Sequence, residues 1–251
     1  MRTAIRRVAD GVVRATNRWT HWYLVEDGDR VTAIDAGLRP DHRLLLDALR
    51  SLGHEPRRLE AVVLTHAHVD HLGFAEWARR ELGARVHLHA DEVALARRPL
   101  RNDRSEVSPL PYLLRHPSAR AFIADLILTG AMWPTPPRQV VTVGHGERLD
   151  DVPGRPVVVH TPGHTPGSMV LSLPERGVLF TGDALLTWHP YTGRSGPQIG
   201  SRGGDFDSAL AMDSLARIEA TAAPLLLPGH GDPFPGGATE AVRLARLAGH
   251  S

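Results

Sequence analysis

Short apolar runs alternate with longer stretches of helical spacing along this chain, a rhythm that predicts an α/β arrangement. Trp22-Tyr23-Leu24-Val25 and Val31-Thr32-Ala33-Ile34-Asp35 flank Asp27-Gly28-Asp29 and predict a β-hairpin closed by Gly-containing turn chemistry. From Asp41 to Leu52, the residues Leu44, Leu45, Ala48, Leu49 and Leu52 form one helical stripe, and Gly53 is suited to stop it. Ala61-Val62-Val63-Leu64 is wholly apolar, as a buried strand would be. A helix is expected from about Asp70 to Leu82, closed by Gly83. A strand from Arg85 to His89 follows, with Asp91 placed to cap the next helix.

The rhythm breaks between residues 97 and 137, where Pro99, Pro109, Pro111 and Pro117 punctuate the chain. Ala119, Phe122, Ile123, Leu126 and Ile127 then make a helical stripe that ends at Trp133-Pro134-Thr135-Pro136-Pro137. This segment reads as an insertion, a lid or a dimer face, between two similar halves of a single domain spanning 1–251. Strands return at Val157–Val159, Ser168–Leu173, Val178–Phe180 and Leu225–Leu227, followed by a helix from Ala238 to Leu247. All of these strands except Ser168–Leu173 run into a Gly-containing loop bearing His or Asp. Strand ends on a rigid sheet are where a preorganised site holds its side chains.

Composition narrows the chemistry. With 251 residues, 42% of them hydrophobic, the chain can bury a core without covalent staples. Lys+Arg 29 against Asp+Glu 28 gives no basic surface for nucleic acid or acidic membrane. The absence of Cys excludes disulfides, thiolate metal sites and Cys nucleophiles, so any metal is bound by nitrogen and oxygen. No apolar run follows the basic start Met1–Arg7, so neither a signal peptide nor a membrane anchor is expected, and the cytoplasm is the default location.

The spacing among 15 His residues is the decisive signal. His66 and His68 stand two apart beyond a strand, where extended backbone turns both imidazoles to one side. Asp70 and His71 start the next element and turn toward a neighbouring point. Four ligands within six residues overcrowd one small ion, and two adjacent ions account for them better. Thr161-Pro162-Gly163-His164-Thr165-Pro166-Gly167-Ser168 supplies another His on a tight turn, Gly182-Asp183 a carboxylate able to bridge two cations, and Pro228-Gly229-His230-Gly231 the last imidazole.

Taken in order, Thr-His-x-His-x-Asp-His at 65–71, Gly-His-Thr-Pro-Gly-Ser at 163–168, Gly-Asp at 182–183 and Pro-Gly-His-Gly at 228–231 resemble the metallo-β-lactamase superfamily, most closely its glyoxalase II and lactonase branch. The resemblance implies an α/β fold, a four-layer αβ/βα sandwich with the site along one edge. It implies that His66, His68 and His164 hold a first metal, Asp70, His71 and His230 a second, and that Asp183 bridges them. Two divalent ions, zinc foremost with iron or manganese as substitutes, would turn a shared water into a hydroxide that attacks an ester-like carbonyl. Asp70 could orient that hydroxide or pass on its proton.

Departures from the known branches refine the expectation. Lactonases commonly carry a Tyr close behind the bridging Asp; here Leu186 occupies that place, and Tyr191 or His189 of the same loop is the candidate substitute. About twenty residues follow His230, too few for the glutathione-binding domain of glyoxalase II. The absence of Cys and the presence of Asp183 argue against the β-lactamase branches. Trp19, Trp22, Trp133 and Trp188 are candidates for an apolar substrate groove. His87 and His89 read as surface or packing residues, Thr65 and Ser168 as backbone-bonding ones, and His21, His42, His54, His116, His145, His160 and His250 as structural or exposed.

The expected substrate is a small-molecule or carrier-bound acyl compound: a thioester, lactone or carboxylic ester. A homodimer is an open option. The rival readings are a mononuclear iron dioxygenase like the persulfide dioxygenases, which use only the first triad, a β-lactamase, and a non-catalytic binding protein, whose relatives typically lose ligands.

Overall fold

Along the strand Thr20–Asp27, successive side chains leave the sheet on opposite faces. Trp22 and Leu24 enter one buried cluster, Tyr23 and Val25 another. This alternation means that the sheet is covered on both sides, and it organises the whole molecule. The computed structural model describes residues 4–100 and 105–250.

The first half holds β1 (Ala4–Ala9), β2 (Val12–Asn17), β3 (Thr20–Asp27), β4 (Arg30–Ile34), α1 (His42–Ser51), β5 (Leu59–Val63), α2 (Ala75–Trp77), β6 (Arg85–His89) and α3 (Val93–Arg97). The 97–137 segment contributes α4 (Leu110–Arg115) and α5 (Pro117–Leu128). Then come β7 (Val141–Val143), β8 (Val157–His160), β9 (Met169–Leu173), β10 (Val178–Gly182), β11 (Leu186–Trp188), β12 (Ser195–Gln198), α6 (Ser208–Glu219), β13 (Leu225–Pro228) and α7 (Gly237–Ala248).

One sheet runs β1-β2-β3-β4-β5-β6-β7 and a second runs β13-β10-β9-β8; β11 and β12 pair separately. In the first, β1 to β4 form an antiparallel meander, and β4 to β7 are parallel. Tyr23, Val25, Ile34 and Val63 of this sheet meet Met169, Leu171, Phe180 and Leu227 of the other in the central core. Outside it, Leu45, Ala48 and Leu49 of α1 cover the first sheet, while Leu215, Ile218, Val242 and Ala245 of α6 and α7 cover the second. The result is the expected four-layer αβ/βα sandwich.

Several elements differ from the pattern reading. β1 and β2 form strands where none was expected. The helix expected from Asp70 begins only at Ala75 and continues as a wide π turn over Ala78–Leu82 before Gly83 ends it in the left-handed region. Residues 70–74 stay in turns because Gly73 and Phe74 N–H donate to the Gly37 and Ala36 carbonyls and not back along a helix, and Gly73 lies so close to the Leu38 backbone that a Cβ would collide with it. Asp91 does not cap: His89 Nδ1 accepts from the Asp91 N–H instead. In α5, Phe122 and Leu126 are buried with Leu38 and Ala119 is buried too, but Ile127 is 49% exposed and leaves the stripe. α6 forms where the apolar pattern predicts no helix, and Asp207 caps it by accepting from Leu210 N–H.

Candidate metal centre

The ligand-bearing loops leave neighbouring strand ends of both sheets. Beyond β5, Leu64 N–H still bonds the His87 carbonyl, so His66 and His68 follow directly from an anchored strand. The turn after them closes through His71 and Leu72 N–H on the His68 carbonyl. Asp183 follows β10 and His230 follows β13, two strands that pair in parallel. Gly182 and Gly229 permit the packing: a Cβ at Gly182 would strike Thr65, and one at Gly229 would strike Asp183 and the His71 ring.

All seven expected ligands converge. The ligand atoms of His66, His68 and His164 lie within 4.8 Å of one another, as do those of Asp70, His71 and His230, and those of His66, His71 and Asp183. Asp183 spans both groups. Its Oδ1 is 3.4 Å from His71 Nε2, and its Oδ2 is 3.6 Å from His164 Nε2 and 3.3 Å from His230 Nε2. Asp70 Oδ2 lies 3.2 Å from His230 Nε2 and 3.7 Å from His71 Nε2, and it accepts the Thr20 hydroxyl at 3.1 Å.

The outward ring nitrogens explain the aim of the inward ones. His66 Nδ1–H donates to Thr65 Oγ (3.1 Å), His71 Nδ1–H to Asp35 (2.9 Å), His164 Nδ1–H to Asp205 (2.6 Å) and His230 Nδ1–H to the Trp19 carbonyl (2.7 Å). In the neutral imidazole each such bond keeps the hydrogen on Nδ1 and leaves Nε2 as the nitrogen that faces the centre. Asp35 also accepts Thr65 N–H and its hydroxyl, so one carboxylate orients two ligands. Thr65 therefore bonds a side chain as well as backbone. Glu92, fully buried, accepts from Ala67 N–H, Thr165 Oγ and Gly167 N–H, tying the His66–His68 loop to the His164 loop.

Electrostatics match a cation site. Burial, then the neighbouring imidazoles, hold His66 well below the usual histidine range and His68 at about 3, so both keep free lone pairs. Burial opposes ionisation of Asp70 and Asp183, but His71 and His230 beside them win and hold both carboxyls below the usual range. Burial likewise opposes charge on His71, yet Asp183, Asp70 and Asp35 raise it to about 9; Asp183 and Asp70 raise His230 in the same way. His66 Nε2, His71 Nε2 and Asp183 Oδ1 are buried without a hydrogen-bond partner. Orphaned buried polar atoms are costly, and here they are N and O donors that fit zinc, iron or manganese.

His89, Asp91 and His160 also stand within 4.8 Å of one another, but the two rings stack at 3.9 Å and 10°. Imidazoles bind metals in the ring plane, so parallel stacked rings do not converge on one ion. His89 and His87 are both buried, not surface residues.

The remaining expected residues separate. Tyr191 and His189 line a cavity together with His68, Asp70, His164, Asp183 and His230. Trp133 is 55% exposed and lies in an adjoining groove. Trp19 stacks on Trp188 at 5.7 Å and meets Phe122, a wall of that cavity, edge-on at 6.1 Å. Trp22, expected at a substrate groove, is instead wholly buried against Phe74 in the core under α1 and cannot touch a substrate. Among the described residues no helix is long and apolar enough to cross a membrane.

Comparison with known proteins agrees with this geometry. Residues 17–230 match the family described as the metallo-beta-lactamase superfamily. YobT of Bacillus subtilis (strain 168) is 33% identical over 166 residues, which cover 65% of this chain and 60% of that protein. YflN of the same organism, described as a probable metallo-hydrolase, is 26% identical over 81% of this chain and 76% of its own length. A hydroxyacylglutathione hydrolase of Rhizobium meliloti (strain 1021) is 28% identical over 63% of this chain and 45% of its own. Among solved structures, TTHA1623 in a di-iron-bound form superposes with a TM-score of 0.61 and 28% identity, covering 92% of this chain and 97% of that one.

Proposed function

The chain belongs to the metallo-β-lactamase superfamily, and from that premise we propose that it is a binuclear metallohydrolase acting on an ester-like carbonyl: a thioester, lactone or carboxylic ester. The observation that carries this reading is Asp183, whose two oxygens reach ligands of both complete triads. His66, His68 and His164 would hold one ion, Asp70, His71 and His230 the other, and Asp183 both. When bound, such ions supply Lewis acidity and a water acidified to near neutral pH. A mononuclear iron dioxygenase would need only the first triad; a second complete and buried triad favours hydrolysis. Zinc is the proposed ion, with iron or manganese compatible with the same donors, and the proposed partner is a small or carrier-bound acyl substrate in the cytoplasm.

The chain's own groups supply the rest of the chemistry. Asp70 stays ionised and is oriented by Thr20, so it can accept a hydrogen bond from the attacking water and orient it. His189 Nδ1 accepts Tyr191 N–H at 3.0 Å, which leaves the hydrogen on Nε2, and that atom is buried without a partner. Burial, then His230, lowers His189 to about 4, so it is a neutral N–H donor suited to a developing oxyanion. Burial, then Asp70 and Asp183, pushes Tyr191 up to about 12, so its phenol also stays a donor. The test is a panel of thioesters, lactones and aryl esters on metal-reconstituted protein. Turnover is expected for at least one class and loss of it in Asp183→Ala; equal turnover by that variant contradicts the reading.

A further inference from the structure

The cavity over the metal cluster has two unlike ends. One is made of ligands and the His189–Tyr191 loop; the other is made of Phe122, Ile123 and Leu126 of α5, with Met132, Pro99 and Leu100. Pro99 and Leu100 also line a second, outer groove with Arg98, Trp133 and Pro134. The two spaces therefore share Pro99 and Leu100, and apolar side chains line both from the inner wall at Phe122 to the rim at Trp133. Leu100 is 50% and Trp133 55% exposed, large apolar side chains kept at an open rim. Among the described residues of the inner cavity there is no Lys or Arg; the acidic side chains there are Asp70 and Asp183. At the end walled by Phe122, Ile123 and Leu126, away from the ligands, a carboxylate on the acyl part of a substrate would be desolvated against apolar side chains, which is costly.

We propose that the substrate is an ester or thioester of a long, uncharged aliphatic acyl chain, whose tail runs along Phe122, Ile123 and Leu126, over Pro99 and Leu100, and onto Trp133. This assignment rests on the hydrolase reading above and specifies its substrate class. The overall reaction adds water across the acyl bond: its oxygen joins the carbonyl carbon, and a proton goes to the departing alcohol or thiol. Trp133 thus acts through substrate binding, which the sequence alone could not separate from surface packing.

The experiment uses the metal-loaded protein in two arms. In the first, kcat/KM is measured for acetyl, butyryl, succinyl, octanoyl and dodecanoyl thioesters of one thiol. It is expected to rise by about tenfold or more from acetyl to dodecanoyl, as burial of successive methylenes requires, and to fall for succinyl relative to butyryl. Trp133→Ala and Leu100→Asp, both at exposed positions, are each expected to cut the dodecanoyl-to-acetyl ratio by about tenfold. In the second arm, calorimetry follows binding of dodecanamide, a neutral amide, against butyramide. Tighter binding of dodecanamide, weakened in both variants, is expected. A flat chain-length profile, or a ratio unchanged in both variants, overturns the inference. Hydrolysis without length dependence or dodecanamide binding sinks the tail site alone. Dodecanamide binding without hydrolysis of any ester supports the tail site and sinks the hydrolase reading alone.

Discussion

Asp205 accepts the Nδ1–H of His164 at 2.6 Å, a contact between residues 41 positions apart that are both buried beside the cluster of candidate ligands. Burial pushes the Asp205 carboxyl up, and its second oxygen has no partner, so the site bears a cost that the His164 bond offsets only in part. Burial would lower His164, but Asp205 outweighs it and raises the imidazole. The more basic Nε2 is a better ligand.

Asp205→Ala is therefore expected to weaken binding of the first ion by about 10–100-fold, with Asp205→Asn, which keeps an acceptor oxygen, closer to wild type. Competition with a coloured chelator measures both; equal affinity in all three proteins would show that Asp205 does not position His164.

Glu92 makes a separate claim on stability. Glu92→Ala would leave Ala67 N–H, Thr165 Oγ and Gly167 N–H without their acceptor. The expected loss is on the order of 3–5 kcal/mol, a few buried donors at about 1–3 kcal/mol each. Denaturant unfolding of the metal-free variant reads it directly, and a loss below about 1 kcal/mol would contradict the strap.

Trp22 and Trp133 are expected to behave oppositely. Trp22→Ala empties a fully buried site and should cost about 3–5 kcal/mol of stability, without altering preference among acyl chains. A selective change in substrate preference by Trp22→Ala would contradict its placement in the core.

The pH dependence follows from His71. Its value, raised to about 9 against 6.5 for a free imidazole, means that its protonation stabilises the metal-free fold fully below pH 6.5 and that this is lost as pH rises through about 9. Divalent ions take the place of that proton. The rise in Tm on metal addition should therefore grow between pH 6.5 and 9. Calorimetric scans with and without metal test it; an increment that shrinks across this window has the wrong sign.

What was legible in the sequence depended on repetition. Each candidate ligand sits in a short motif beyond an apolar strand, and it was the resemblance carried by those motifs in order that implied both the seven ligands and the sandwich that gathers them. Asp35, Glu92 and Asp205 orient or brace those ligands, yet each is a single carboxylate in a remote segment, without spacing to mark it. Asp35 carried one faint signal, since it ends an apolar strand as Asp183 does; its positive φ of 62° became visible only in the fold. The late start of the helix after His71 is illegible in the sequence because it depends on Gly73 and Phe74 N–H bonding the Gly37 and Ala36 carbonyls, contacts with a remote segment. α6 leaves little trace in the sequence because its buried stripe of Ala211, Leu215 and Ile218 is thin and partly built from a small residue.

Metal content set against activity tests the central claim most directly. Purified protein, stripped and reconstituted, should bind about two divalent ions per chain, lose ester or thioester hydrolysis on stripping, and regain it on loading, with Asp183→Ala recovering neither full stoichiometry nor activity. Undiminished hydrolysis by the stripped protein, or a single iron per chain with oxygen consumption in place of hydrolysis, would contradict it.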